Sequence, residues 1–400
     1  MATEPSPFPE VVLRHPPHRP EPAPAASHWG RTLVAMAVGA AVGYGTIAYL
    51  ANGLAPLPGW GPKLLLIACI PLLIWLATGL HELGHLLAGR LNGERLFLFT
   101  VGPFKILRTP NGLRAGMDRS LNLFEGTTVC LPKDPGKLNL RGFARVVAGG
   151  PAASLLGAVG GGLLSRGMEP VAAIHSSFLH NSMVLFSVIS ALQFLATIWP
   201  AKVSGFSTDG KRLLELRRKG PAGEKEAAML SVTALTLAGT RPRDVPDELM
   251  QRVRERVGKA SADRTGHYMT YLSAADCGNW HEAQAQLDAA VDDTTPLPDF
   301  FEDGLRCEYA WLLATRTGEA TTAKAWLDTA GALELDPPTR YRAEAAVALA
   351  SGDYARAEAL AAAGLAALPQ TLGCTRDPFS EDTLQALLDS ARVKGERTEP

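Results

Sequence analysis

The sequence of 400 residues is poor in cysteine and almost without net charge. Its five cysteines are far apart and form no Cys-x-x-Cys pair, which argues against a disulfide framework and against a cysteine-based zinc knuckle. Nucleic-acid-binding proteins usually carry a strongly basic face, and a net charge of −1 with an isoelectric point near 6.8 argues against such a partner. The length suggests two or three units rather than one small domain.

The start of the sequence does not have the pattern expected of an ordinary signal peptide. The first 30 residues contain eight prolines and cannot bury a core, so we predict a disordered tail over residues 1–31. The first apolar run begins too far along the chain for a cleaved signal sequence. At residues 32–51 it is long enough to remain in a membrane as an anchor.

Long apolar runs are concentrated in the first half of the chain. A helix needs about 20 apolar residues to cross a hydrocarbon layer ~30 Å thick. Four stretches qualify: 32–52, 64–89, 143–165 and 178–200. The 143–165 stretch is rich in Gly and Ala, which is typical of a helix packed closely against other helices. We therefore predict a mainly α protein, with a polytopic membrane helix bundle of about four spans over residues 32–220.

The connecting loops indicate the orientation of these spans. Loops 53–63 and 166–177 contain one basic residue each, whereas loop 90–142 contains nine, and the segment after residue 200 is also basic. Because basic loops stay on the cytoplasmic side, both termini and the long loop are expected to be cytoplasmic. Binding of phosphate or RNA is an alternative explanation of these charges, but topology explains them more simply.

The second predicted span contains the motif His81-Glu82-Leu83-Gly84-His85. Residues four apart share one face of a helix, so both imidazoles can bind one zinc ion. Glu82 is then placed to take a proton from the water rather than to bind the metal. Histidines that merely hydrogen-bond between helices are the structural alternative, but such groups are costly within a membrane unless they face a cavity or a ligand.

A zinc site with two histidines needs a third protein ligand at the same depth in the membrane. His81 lies ~27 Å along the second span from Lys63, towards the cytoplasmic side. Asp209 follows the fourth span, reaches the same depth and is our predicted third ligand. Two alternatives remain: Asp209 is only a helix N-cap, or the third ligand is Glu215 on the next helix.

A His-Glu-x-x-His motif in one membrane helix, with Asp-Gly after a later helix that ends in proline, resembles the site-2 protease family of intramembrane zinc metalloproteases. The resemblance covers about residues 60–215. It implies one zinc ion per chain, bound by His81, His85 and Asp209, with Glu82 activating the water.

Two further features are similar to that family. The Gly-Gly-Pro motif at 149–151, with Ser154, is similar to the Gly-Pro motif of its next helix. Residues 96–132 alternate short β-like runs with Gly and Pro, as in the membrane-associated β-rich segment of the family, which is proposed to present the substrate as an extended strand. The chain has Ser154 and Thr197 where the family often has Asn.

Residues 221–393 have the alanine-rich, charged composition of a soluble helical domain. Three turns, Gly-Asn-Trp at 278–280, Gly-Glu-Ala at 318–320 and Gly-Asp-Tyr at 352–354, each follow an apolar helix and are 40 and 34 residues apart. This pattern resembles divergent tetratricopeptide repeats. A protein partner at these repeats and a plain spacing role are both open, and residues 394–400 are predicted to be a frayed tail.

The sequence therefore predicts a zinc metallopeptidase, an integral multi-pass protein of the bacterial inner membrane, that cleaves membrane-associated proteins or peptides. An alternative is a catalytically inactive membrane scaffold, in which the zinc is structural and the repeats bind partner proteins. A third hypothesis is another membrane His-Glu-x-x-His peptidase that uses Glu215 as a ligand. No nucleic-acid partner is expected.

Overall fold

A computed structural model describes most of the chain. The described residues are 11–17, 29–109, 112–117, 125–131, 140–168, 174–203, 206–217, 221–237, 239–255, 261–293, 297, 299–331, 336–368 and 377–397. They form fourteen α-helices and six short β-strands, which confirms the mainly α fold class.

The first half of the chain contains four long helices: α1 (Trp29–Gly53), α2 (Gly61–Leu91), α3 (Leu140–Gly167) and α4 (Ile174–Ile198). Among the described residues, α2, α3 and most of α4 are long and apolar enough to cross a membrane. These three correspond to the predicted spans 64–89, 143–165 and 178–200. The first predicted span forms α1, and its crossing of the membrane remains a prediction.

Small residues allow α2 and α3 to pack in close contact. A Cβ atom added at Gly84 of α2 would lie 2.3 Å from the carbonyl oxygen of Gly149 and 2.5 Å from the Cβ atom of Ala153 on α3. The converse holds at Gly149, where an added Cβ would lie 2.4 Å from the Gly84 oxygen. The two backbones therefore touch, as at other helix contacts rich in small residues.

A four-stranded antiparallel sheet connects α2 to α3. Its strands are β1 (Arg95–Val101), β2 (Phe104–Thr109), β3 (Gly112–Met117) and β4 (Gly126–Leu131), in the order β3-β2-β1-β4. The predicted β-rich segment is therefore present. The central strand β1 is largely buried, and the indole Nε1 of Trp75 on α2 donates to the carbonyl oxygen of Val101, 3.1 Å away. This bond ties the sheet to the second helix.

A short hairpin follows α4 and leads into the next helix. Strands β5 (Lys202–Val203) and β6 (Phe206–Ser207) pair antiparallel, and α5 (Asp209–Leu216) begins directly after them. The side-chain oxygen of Thr208 accepts from the backbone N–H of Lys211, as expected of a helix N-cap. The N-cap is thus Thr208, and Asp209 is the first helical residue.

The second half of the chain is entirely helical where it is described. It comprises α6 (Pro221–Leu237), α7 (Asp247–Arg254), α8 (Ser261–Asp276), α9 (Trp280–Asp292), α10 (Asp299–Arg316), α11 (Ala320–Asp328), α12 (Pro337–Ala350), α13 (Tyr354–Ala367) and α14 (Pro378–Glu396), with a 3-10 turn at Pro242–Asp244. The predicted tail at 394–400 begins within α14, and its residues 398–400 lie outside the described residues.

The three predicted turns each join a pair of helices. Gly278, Gly318 and Gly352 have φ angles of 75°, 72° and 82°, in the left-handed region that glycine adopts without strain. After two of them, Asn279 and Asp353 cap the following helix through their side chains. The turns therefore join α8 to α9, α10 to α11 and α12 to α13. Their assignment to tetratricopeptide repeats remains a prediction.

Alanines and a few large side chains form the core of this helical region. Ala283, Ala310 and Ala343 are fully buried, as are Trp326 and Leu312. Small side chains at the crossing points let the helices approach closely, and the indole and leucine fill the remaining volume. The core therefore has the alternation of small and large residues that close helix packing needs.

Part of the proline-rich tail is bound to this helical region. Residues 11–17, called here the tail segment, lie against α9 and α11, and Val11 packs on the buried core. These residues lie within the tail that we predict to be disordered because its composition cannot form a hydrophobic core. The tail segment forms no core of its own, but Val11 adds to the core of the helical region. Other residues of the predicted tail, 1–10 and 18–28, lie outside the described residues.

Candidate metal centre

The two histidines of the motif are buried on the face of α2 that packs against α3. Their Nε2 atoms are 3.2 Å apart, and the ring centroids of His81 and His85 are 4.8 Å apart at nearly a right angle. The four-residue spacing places both rings on one side of the helix, one turn apart. Two donor nitrogens thus point at a common position.

The other nitrogen of each ring has a partner on α3. The Nδ1 atom of His81 lies 2.9 Å from the hydroxyl of Ser154, and the Nδ1 atom of His85 lies 2.8 Å from the carbonyl oxygen of Val146. Because a carbonyl oxygen only accepts, the 2.8 Å contact favours the His85 tautomer with the proton on Nδ1 over the longer contact, 3.3 Å, in which the Gly150 N–H points at the same atom. That tautomer leaves the Nε2 lone pair free, which is the arrangement found around metal-binding histidines.

Asp209 completes the cluster from a distant part of the chain. Its Oδ2 atom lies 3.2 Å from the Nε2 atom of His81 and 3.6 Å from the Nε2 atom of His85. The backbone before it is held by Thr208, whose N–H donates to the carbonyl oxygen of Ala201. The hairpin and the N-cap therefore position the carboxylate at the histidines.

The spacing of these donors fits a zinc ion. Ligand atoms 2.0–2.2 Å from a tetrahedral zinc lie about 3.3–3.6 Å from one another. The three observed separations range from 3.2 to 3.6 Å. The structure thus brings together the three predicted ligands, His81, His85 and Asp209, as a group that could hold a metal ion. Two imidazoles and one carboxylate are a donor set that suits zinc.

Glu215, the alternative third ligand, has other partners. Its carboxylate accepts from the hydroxyl of Ser207, 3.4 Å away, and lies 3.9 Å from the Nζ atom of Lys211. It is outside the group of candidate ligand atoms that the described residues form. The geometry therefore favours Asp209 over Glu215.

The charge of Asp209 is consistent with a ligand role. Burial by itself would raise the pKa of this carboxyl, but hydrogen bonds from the two imidazoles, when these are protonated on Nε2, outweigh burial and lower the pKa. The carboxylate is therefore ionised at neutral pH. An ionised oxygen is the form that binds a cation.

Gly150 of α3 leaves the space in which the donor atoms meet. A Cβ atom added there would lie 2.2 Å from the Nε2 atom of His85 and 2.7 Å from the Nε2 atom of His81. Any larger residue would therefore occupy the position to which both nitrogens point. The Gly-Gly-Pro motif was noted in the sequence, but this direct contact with the donor atoms was not foreseen.

Glu82 lies beside the cluster, under the edge of the sheet. Its side chain is buried, and its Oε2 atom has no hydrogen-bond partner among the described residues. A Cβ atom added at Gly126 of β4 would lie 2.6 Å from its Cγ atom, and the hydroxyl of Thr128 donates to its backbone oxygen, 3.1 Å away. Strand β4 thus covers a carboxylate that is free to accept a proton.

Substituting Ser154 by alanine is expected to weaken zinc binding about 10–100-fold, because His81 loses the group that fixes its orientation. Zinc affinity would be measured by chelator competition on the purified full-length protein. Ser182→Ala is the matched control, since within the described part of the chain that buried hydroxyl bonds to the carbonyl oxygen of Phe178 on its own helix. Equal affinities in both variants would contradict a positioning role for Ser154.

Comparison with known proteins identifies no relative: no protein-family model, no curated protein and no solved structure matches the chain.

Proposed function

We propose that the protein is an intramembrane zinc metalloendopeptidase of the site-2 protease type. The observation that carries the proposal is the convergence of His81 and His85 on α2 with Asp209 after α4, beside the buried carboxylate of Glu82. Three donors leave one position of a tetrahedral zinc for water, as in catalytic sites. A structural zinc in an inactive scaffold would need a fourth protein ligand, and the group found among the described residues has three members.

The chain's own residues supply the proton transfers of peptide hydrolysis. Zinc in this site would polarise the scissile carbonyl and make bound water acidic near neutral pH. Glu82 accepts a proton on its Oε2 atom, which has no hydrogen-bond partner among the described residues, and donates it to the leaving amine. Ser154 and the Val146 carbonyl hold the two imidazoles in place while the charge changes.

Strand β4 is suited to hold the substrate. It is the edge strand of the four-stranded sheet on the side of Glu82, next to β1. An extended peptide added to this edge would gain main-chain hydrogen bonds and lie along the catalytic carboxylate. A transmembrane substrate would have to unwind to reach it, which suits a site that cleaves exposed peptide bonds.

The proposal includes a location for each part of the chain. The three apolar helices α2, α3 and α4, with α1 as a fourth span, would hold the site within a bacterial inner membrane, with both termini cytoplasmic. Substrates would be membrane-associated proteins or peptides. The helical region after residue 221 would be a cytoplasmic, tetratricopeptide-like domain.

Metal analysis and a cleavage assay test the proposal together. The purified full-length protein is expected to bind one zinc ion per chain and to cleave a reporter with a transmembrane segment. A chelator should abolish cleavage, and added zinc should restore it. Asp209→Ala should lose the zinc, whereas the matched control Glu215→Ala should retain it. Zinc retained in Asp209→Ala and lost in Glu215→Ala would replace the ligand assignment, and cleavage unaffected by metal removal would refute the proposal.

A further inference from the structure

The tail segment is held through its backbone by two side chains of the helical region. Gln284 makes a two-bond contact with Val12: its Oε1 atom accepts from the Val12 N–H, 2.8 Å away, and its Nε2 atom donates to the Val12 carbonyl, 2.6 Å away. The indole Nε1 of Trp326 donates to the carbonyl oxygen of Arg14, also 2.6 Å away. These bonds hold the backbone of the tail segment and do not depend on its side chains.

The side chains of the tail segment make further contacts with the helical region. The guanidinium of Arg14 bonds to the carboxylate of Asp288, 2.7 Å away, and to that of Asp292. Val11 packs against the buried core, whereas Val12 and Leu13 are exposed. Val11 and Arg14 are partly buried and three residues apart, which is the period of a polyproline II chain. The contact selects a hydrophobic residue and, three positions later, an arginine.

The receiving side chains form a connected network of their own. The hydroxyl of Tyr309 donates to Asp288, 2.6 Å away, and accepts from Gln284 at 3.3 Å. The Tyr309 ring is stacked on Trp326, with the centroids 4.0 Å apart and the planes 8° from parallel. Gln284 and Trp326 are 6% and 0% exposed. These exposed fractions are those with the tail segment in place, so the segment helps to cover the polar atoms of Gln284 and Trp326, while the bonds to Tyr309 join the receiving side chains to one another.

We propose that Gln284, Asp288, Asp292 and Trp326 form a binding site for an extended protein segment with a hydrophobic residue three positions before an arginine, and that the tail segment occupies this site in cis. A partner protein with such a segment binds by displacing the tail. The proposal is independent of the peptidase activity, because none of these residues belongs to the candidate metal centre.

Covalent attachment gives the tail segment an advantage over a partner. A tethered ligand has an effective concentration of the order of 1 mM when its linker can span the distance. A partner in solution must therefore compete with a local ligand, and weakening the tail should expose the site. The salt bridges to Arg14 are the contact to weaken, since they are at the edge of the site and the arginine is partly exposed.

A labelled peptide with the sequence of residues 11–17 is the probe, titrated into full-length protein in detergent and followed by fluorescence anisotropy. Arg14→Ala in the chain is expected to strengthen binding of the probe at least about tenfold, because the cis competitor is weakened. Leu13→Ala is the matched control and should leave binding unchanged, since Leu13 is half exposed. A probe whose arginine is replaced by alanine should not bind.

Substitutions in the helical region distinguish specific binding of the probe from nonspecific binding. In the Arg14→Ala chain, the further change Asp288→Asn should reduce probe binding at least about tenfold, whereas Asp299→Asn, at the start of α10, should not. Equal binding of the probe to the unaltered chain and to Arg14→Ala would overturn the cis competition. Undiminished binding after Asp288→Asn would overturn the site. The zinc content should be unchanged in every variant. A failure of the binding-site proposal can therefore be distinguished from a failure of the peptidase proposal.

Discussion

Replacing Glu82 by glutamine is expected to reduce peptide cleavage by about 10²–10⁴-fold while zinc binding is retained. The amide has nearly the same size and shape as the carboxylate but cannot accept the proton from water, and general acid–base catalysis contributes a factor of this order. Glu82 is not among the three grouped ligands, so the metal content should stay at one per chain. Initial rates on a membrane-embedded reporter and metal analysis on the same preparation measure the two quantities.

Glu94 offers a closely matched control for this experiment. It is also 6% exposed, and its Oε2 atom likewise has no hydrogen-bond partner among the described residues, but it follows the end of α2 and is outside the ligand group. Glu94→Gln should therefore retain activity. If Glu82→Gln and Glu94→Gln lose activity equally, the loss results from placing a buried amide in the protein and not from removing a catalytic carboxylate. If Glu82→Gln cleaves at the normal rate, the assignment of Glu82 is wrong.

Gly150→Ala is expected to reduce zinc affinity by at least about 100-fold. The added methyl group would lie 2.2 Å and 2.7 Å from the two Nε2 atoms, so the imidazoles would have to turn away from their common position. Because each ring is held on its other nitrogen by Ser154 or by the Val146 carbonyl, turning would also break those bonds. Cleavage should fall together with the metal content.

Gly160→Ala on the same helix is the control for this change. No atom of the described residues lies within 4 Å of a Cβ atom added there, so the substitution adds a methyl group without a clash with them. Both substitutions favour the helix by up to about 1 kcal/mol, since alanine has the higher helix propensity. A loss of zinc in Gly150→Ala but not in Gly160→Ala would therefore result from the clash with the imidazoles and not from a change in helix stability. Normal zinc affinity in Gly150→Ala would contradict the observed approach of α3 to the histidines.

Part of this site was predictable because its geometry is local or follows from topology. The spacing of His81 and His85 places both rings on one helical face wherever the helix lies. Asp209 is 128 residues further along the chain than His81. It was nevertheless predictable, because the expected alternation of spans gives it the same depth as the histidines. The structure places it within 3.6 Å of both rings.

Other parts depend on how α3 is rotated, which the sequence pattern does not specify. The contact of His85 with the Val146 carbonyl uses a backbone atom that every residue has, so no residue type marks it. Ser154 and Gly150 were recognisable as members of a motif, but which ring each would contact depends on helix packing at the level of ångströms. The contacts of Val12 were missed for the same reason, since they involve its backbone.

The bound tail segment has a consequence for the topology of the chain. Val12 and Gln284 can bond only if they lie in the same compartment, and all the apolar helices come between them in sequence. A polypeptide that leaves a compartment and returns to it makes an even number of crossings. In the proposed topology α2, α3 and α4 supply three crossings, so α1 would have to be the fourth. Twelve peptide bonds separate Pro17 from Trp29, which keeps the end of the bound tail segment within about 43 Å of the start of α1.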